Sequence, residues 1–182
     1  TKVSNFLASM TGSQKEWQMC VYRAFKTAGF SEQQSRILTA EIGRENSYNP
    51  KFMFAGHADP YSGSNLGMLS WQRGRKPTLI KFLKNEGVLT KSNAMVPGQE
   101  ALNAQAKFIM WEMKNTHKGV GAKFLSQPNI DYATGAYLIG KDYILWRITD
   151  PAYASKGIKN RDGFYNMLLK QLEGGAGANT AP

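Results

Sequence analysis

The chain has 182 residues, enough for one domain with its own core, and its 42% apolar and 20% charged composition is that of a folded protein. No apolar run approaches the roughly 18 residues that cross a bilayer. Lys and Arg number 23 against 13 Asp and Glu, a net charge of +10 and a pI near 9.7, so the surface attracts polyanions such as nucleic acid, acidic lipid or anionic wall polymer.

Residues 1–12 are polar, lack the charged start and apolar block of a signal peptide, and read as a lead-in. The chain does not begin with Met, which predicts a module cut from a longer protein. Over 13–28, Trp17, Cys20, Val21, Ala24, Phe25 and Ala28 recur at helical spacing until Gly29 stops the pattern. Ser31 with Gln34 three residues on predicts a capping box. The helix it opens carries Gln34, Leu38, Ile42 and Glu45 and ends near Asn46, because Asn49-Pro50 disfavours continuation. Residues 47–70, rich in Gly, Ser, Asn, Asp and aromatics, read as an irregular excursion or a short β-hairpin in which Phe52, Phe54, Tyr61 and Leu66 must pack. Helical signal returns over 78–86, over 99–115 with a stripe of Leu102, Ala106, Ile109, Met110 and Met113, over 132–143 and over 161–172. The Gly/Ala-rich stretch 174–182 is expected to be flexible. The pattern predicts a mainly α domain over 13–173, with one functional loop region between its second and third helices.

Several chemistries are missing. Gly119-Val120-Gly121 has neither a third glycine nor a following Lys-Ser or Lys-Thr. Gly63-Ser64-Asn65-Leu66-Gly67 lacks the register of a nucleophile elbow. Cys20, on a helix among Trp17, Val21 and Ala24, reads as a buried inert thiol. A single Cys excludes an internal disulfide, and with only two His, His57 and His117, it leaves too few soft ligands for zinc. Neither metal nor cofactor is expected. The chemistry therefore falls to the 13 carboxylates. Glu32 complements a helix N-terminus; Glu86, Glu100 and Glu173 sit at helix margins. Asp142, Asp150 and Asp162 have basic neighbours, while Glu16, Glu112 and Asp131 carry no distinguishing context. Glu41, Glu45 and Asp59 remain.

Glu45 continues the stripe of Leu38, Glu41 and Ile42. A carboxyl there is partly desolvated and near the negative helix end, and both effects raise its pKa. Glu41, one turn earlier on the same face, adds like-charge repulsion. A carboxylic acid still protonated near neutral pH is what general-acid cleavage of a glycosidic bond requires. An ion network with Arg36, Arg44 or Arg73 accounts for the two carboxylates equally well, and position alone leaves both readings open.

The string Arg44-Glu45-Asn46-Ser47-Tyr48-Asn49-Pro50 resembles the catalytic-Glu segment of the lysozyme-like superfamily, shared by lytic transglycosylases and the phage-tail lysozyme family. The stretch Gly67-Met68-Leu69-Ser70-Trp71 followed by Arg73 and Arg75 is similar to the tail-lysozyme block of Gly-apolar-x-Gln-Trp before basic residues and a helix. Gln105-Ala106-Lys107-Phe108-Ile109 resembles that family's Gln-containing third helix. Ser70 departs from the pattern, standing where Gln is usual, with Gln72 two places later. The resemblance implies a lysozyme-like helical fold acting on peptidoglycan, with Glu45 as general acid. Asp59 or Glu41 is then the second carboxylate that hydrolysis needs, whereas a lytic transglycosylase needs neither. The resemblance also implies a cleft lined by Ser70, Gln72 and Arg73. Tyr48, Tyr61 and Trp71 are sugar-stacking candidates, although a core role is the plainer reading of each. The basic surface then concentrates the domain on an anionic wall. A monomeric module of a larger phage-tail or secreted effector protein, delivered to the periplasm or wall, is the expected setting, and an effector host would bring a cognate immunity protein as partner. A non-catalytic wall-binding module is the main rival. Nucleic-acid binding is not expected, because Lys and Arg are spread without a recognition helix or basic arm.

Overall fold

The computed structural model describes residues 13–59 and 63–175. Helix α1 (Gln14–Thr27) starts where the Ser13 side chain accepts from the Glu16 N–H, and it buries Trp17, Cys20, Val21, Ala24 and Phe25. Gly29 follows at φ +102°, a backbone region open to glycine. Helix α2 (Glu32–Asn46) opens with the expected capping box, Ser31 and Gln34 each bonding the other's backbone, and closes on Ser47 in the left-handed region. It is the central helix: α8 and α7 pack along it on one side and α1 on another.

Pro50 does more than end α2. With Asn49 as N-cap and Pro50 in its first turn it starts a one-turn helix, α3 (Pro50–Phe54), since proline's fixed φ and missing N–H suit a helix start. An antiparallel hairpin of β1 (Gly56–Asp59) and β2 (Gly63–Leu66) follows, in the register Gly56 to Leu66 and Asp59 to Gly63. Leu66 and Trp71 then exchange two backbone hydrogen bonds across a tight turn.

Helix α4 (Arg75–Asn85) begins earlier than its apolar pattern suggests, because Arg75 is anchored by a buried partner described below. Helix α5 (Gln99–Asn115) has the expected bounds and packs on α1, α4 and α6. Helix α6 (Lys118–Leu125) was not legible from its composition. A β-carbon on Gly121 would lie 1.9 Å from the Met113 carbonyl oxygen, so a residue of low helix preference is required where α6 crosses the end of α5. Helix α7 (Tyr132–Ile139) runs into a π-turn over Gly140–Ile144. Helix α8 (Pro151–Glu173) starts ten residues before the expected 161, capped by Asp150 with Pro151 in its first turn.

One apolar cluster joins all these helices, with Phe25, Ile42, Phe54, Leu79, Phe108, Phe124, Ile139 and Phe164 each supplied by a different one. Met19, Tyr22 and Leu168 form a smaller cluster between α1 and α8. Among the described residues no helix is long and apolar enough to cross a membrane.

The two glycines of α6 should behave oppositely. Gly121→Ala must force α5 and α6 apart and is expected to lose about 2 kcal/mol or more of unfolding free energy. Gly119→Ala, with open space at its β-carbon, should be neutral or gain up to about 1 kcal/mol. Urea denaturation of the two variants checks this.

Candidate active site

Glu45 lies in the last turn of α2, with 22% of its side chain exposed, and Glu41 lies one turn deeper with none. Between them stands Arg44, whose Nε donates to Glu41 Oε2 at 3.0 Å while its Nη2 donates to Glu45 Oε2 at 2.9 Å. On the other side of Glu41, Arg161 of α8 brings Nη1 within 3.7 Å of Oε1. Arg161 is itself held by the Tyr132 hydroxyl and by Asp162. The two carboxylates thus share a guanidinium. Desolvation dominates at Glu41 and pushes its carboxyl above the usual range, against the pull of Arg44 and Arg161 and with a small addition from Glu45. The desolvation that the stripe predicts at Glu45 is greater at Glu41, because Glu45 sits where the helix meets the rim.

The residues after Glu45 form a turn in which most side chains hold backbone. Asn46 donates from Nδ2 to the Met68 carbonyl at 2.9 Å and accepts the Tyr48 N–H on Oδ1. Ser47 and Tyr48 both take positive φ, 55° and 58°. The Tyr48 hydroxyl donates to the Thr39 carbonyl at 2.7 Å and accepts from Gln18. A β-carbon on Gly43 would meet that hydroxyl at 2.7 Å and the Phe164 ring as closely. Asn49 caps α3.

The second segment is hung from α5. Gln105, wholly buried, accepts the Met68 N–H on Oε1 at 2.8 Å and donates from Nε2 to the Met53 carbonyl at 3.1 Å. Gly67 lies at φ +82°, and its missing β-carbon leaves room for Gln105 Oε1 and the Trp71 ring. Asn46 and Gln105 therefore grip the two sides of Met68, bringing the turn after Glu45 against the 67–71 segment.

Ser70 is half-buried at φ 52°, and Gln72 is half-buried with its Oε1 lacking a hydrogen-bond partner among the described residues. Arg73 is exposed at φ 50°. Asp59 is a β1 residue opposite Gly63. Tyr61 lies outside the described residues. Tyr48 and Trp71 need correction as sugar-stacking groups. They are 1% and 2% exposed, their rings meeting Phe164 and Phe108 edge-on at 5.2 and 5.6 Å, so neither offers a face to a ligand. Among the described residues, no three of His, Cys, Asp and Glu gather to hold a metal.

Glu112 is the residue that sequence reasoning passed over. It is buried on α5 and accepts from Arg75 on both oxygens, at 2.9 and 2.8 Å. The Trp71 indole N–H and the Tyr143 hydroxyl also reach Oε1, at 3.1 and 2.6 Å. This one carboxylate ties the 67–71 segment, the start of α4 and the π-turn to α5. Burial pushes its pKa up, but Arg75 and the two further donors outweigh burial and hold it below the usual carboxylate range. A signal was present: Gln105, Phe108 and Glu112 fall three and four residues apart, on the buried side of α5.

A helix that carries a half-buried Glu to its end, beside a β-hairpin and a Gly-started segment hung from a glutamine helix, defines a lysozyme-like helical domain. The family model for phage tail lysozyme matches residues 16–140, and the chain belongs to that family. No curated protein and no solved structure matches it significantly. The π-turn from Lys141 onward and all of α8 lie beyond the matched residues.

A folded-state pKa below the ordinary value makes the ionised Glu112 stabilising. The stability it contributes is present above the ordinary Glu value of about 4.3 and is lost as pH falls through the lower folded value. Unfolding free energy measured against pH should therefore drop on acidification below about pH 4.3. In Glu112→Gln it should start lower at neutral pH and show a shallower acid decline.

Proposed function

We propose that this domain cleaves peptidoglycan glycan strands as a muramidase, with Glu45 as the general acid on the bond between N-acetylmuramic acid and N-acetylglucosamine. Family membership together with Glu45 at the rim of α2 carries this reading. Of the two carboxylates that share Arg44, only Glu45 has exposed surface. In the step itself, the Glu45 carboxyl proton passes to the glycosidic oxygen as the C–O bond to the muramic acid ring breaks, leaving an oxocarbenium-like sugar. Water then adds at the anomeric carbon and gives up a proton, so the released end is reducing. Asp59 is our candidate for activating that water or stabilising the cation. Glu41, with no exposed surface, acts through Arg44 rather than on substrate. Ser70, Gln72 and Arg73, on the segment that Asn46 draws towards Glu45, are candidates for sugar contacts.

The charge of +10 supports a polyanionic wall as the target, since it raises the local concentration of the enzyme there. We take 13–173 as the catalytic unit, acting as a monomer in the periplasm or wall after delivery by a larger phage-tail or effector protein. An immunity protein that blocks the cleft would suit an effector host.

Digestion of purified peptidoglycan by wild type and Glu45→Gln, with mass spectrometry of the soluble products, tests the proposal. Wild type should release muropeptides with reducing ends, and the variant should be slower by at least about a hundredfold. Anhydro ends would make the enzyme a lytic transglycosylase, in which the muramic acid hydroxyl replaces water. A wild type that pellets with the wall and releases nothing would instead be a binding module.

A further inference from the structure

The segment beyond the family match contributes a residue to the Glu45 cluster. Trp146 follows the π-turn, and its indole lies over the Arg44 guanidinium, with the Arg44 Cζ 4.3 Å from the ring centroid. That guanidinium is the group bridging Glu41 and Glu45.

The ring's seat is built. A β-carbon on Gly140 would stand 2.5 Å from Trp146 Nε1, and one on Gly157 would stand 2.6 Å from Cζ3. Glycines from the π-turn and from α8 thus border the indole at two points along its length. The Trp146 backbone N–H donates to the Gly140 carbonyl at 3.1 Å. Leu145, just before it, takes φ 66° with 65% of its surface exposed, a costly backbone for a branched apolar side chain. The indole Nε1 is buried without a hydrogen-bond partner among the described residues, a further cost. A strained neighbour, an unmet donor and two excluded β-carbons are all tolerated where the indole covers Arg44. A guanidinium under an aromatic face keeps its in-plane N–H groups free for carboxylates, and its cation is attracted to the ring.

We propose that Trp146 is a positioning residue for Glu45: it clamps Arg44 in the bridge between Glu41 and Glu45 and so fixes the rotamer from which Glu45 delivers its proton. This rests on the reading of Glu45 as the general acid. Trp146 does not itself touch the reacting atoms. Without the ring, Arg44 is free to leave the bridge for solvent, and Glu45 loses the contact that orients it.

The test compares wild type, Trp146→Leu and Trp146→Phe. Peptidoglycan kinetics are measured together with the Arg44 Nε–H resonance in 15N-labelled protein. Trp146→Leu is expected to lower kcat about tenfold with little change in KM, the signature of a lost transition-state contact. It should also speed the exchange of the Arg44 Nε–H with water, beyond the change of shift that loss of the ring current brings by itself. Trp146→Phe, smaller but still aromatic, should recover most of both. An Arg44 Nε–H that exchanges with water at the same rate in wild type and Trp146→Leu overturns the clamp, whatever the kinetics do. Equal loss of kcat in the Leu and Phe variants, with folding intact by circular dichroism, overturns it as well, because simple packing then accounts for Trp146. If wild type cleaves nothing, the muramidase reading fails separately, and the Arg44 resonance still decides the clamp.

Discussion

Burying Glu41 at the heart of the molecule constrains much of what surrounds it. A carboxylate with no exposed surface is strongly unfavourable unless cations meet it. Two do, from different elements: Arg44 from its own helix and Arg161 from α8. Arg161 in turn is held by Tyr132 of α7 and by Asp162, so one buried charge links α2, α7 and α8. Arg44 spends its second arm on Glu45, and Trp146 covers its face. The exposed end of this chain of contacts is the carboxyl with the best claim to chemistry. Its orientation is therefore inherited from groups set deeper in the fold, Arg44 with 11% of its side chain exposed and Glu41 with none.

A second charged centre does comparable work on the far side of the site. Glu112 gathers Arg75, Trp71 and Tyr143, and its oxygens are satisfied by donors from three separate segments. Between the two centres runs an uncharged tie, with Gln105 and Asn46 holding the Met68 backbone from opposite sides. Amide side chains suit this task because each can donate and accept at once. A segment of irregular backbone, which cannot satisfy its own N–H and C=O groups, thereby finds partners in the core.

Glycine recurs where these parts approach closely. Gly43 makes room for the Tyr48 hydroxyl and Phe164, Gly67 for Gln105 and Trp71, and Gly121 for the α5 backbone. The absent β-carbon permits contact between segments distant in the chain at Gly43 and Gly67, and between the consecutive helices α5 and α6 at Gly121. Two glycines at close approaches, Gly121 beside Met113 and Gly157 beside Trp146, also lie in helical stretches that the sequence pattern did not reveal.

Sequence alone determined the features whose causes are local. The Ser31–Gln34 box marks a helix start because its capping is completed within four residues. The apolar stripes of α1, α2 and α5 follow from a period of 3.6. The string from Glu45 to Pro50 was legible because much of its pattern serves one short turn and the helix after it. Tertiary structure decided the rest. Tyr48 and Trp71 became core anchors because residues from α1, α5 and α8 close over them. Glu112 acquired its partners from positions about forty residues before it and thirty after. Helix α6 and the first ten residues of α8 form against weak local preference, since packing on α5 and around Trp146 rewards glycine where propensity penalises it. Arg44 is the clearest case: its neighbours Glu41 and Glu45 are written beside it in the chain. That it is held between them by a tryptophan about a hundred residues away is a property of the packed molecule alone.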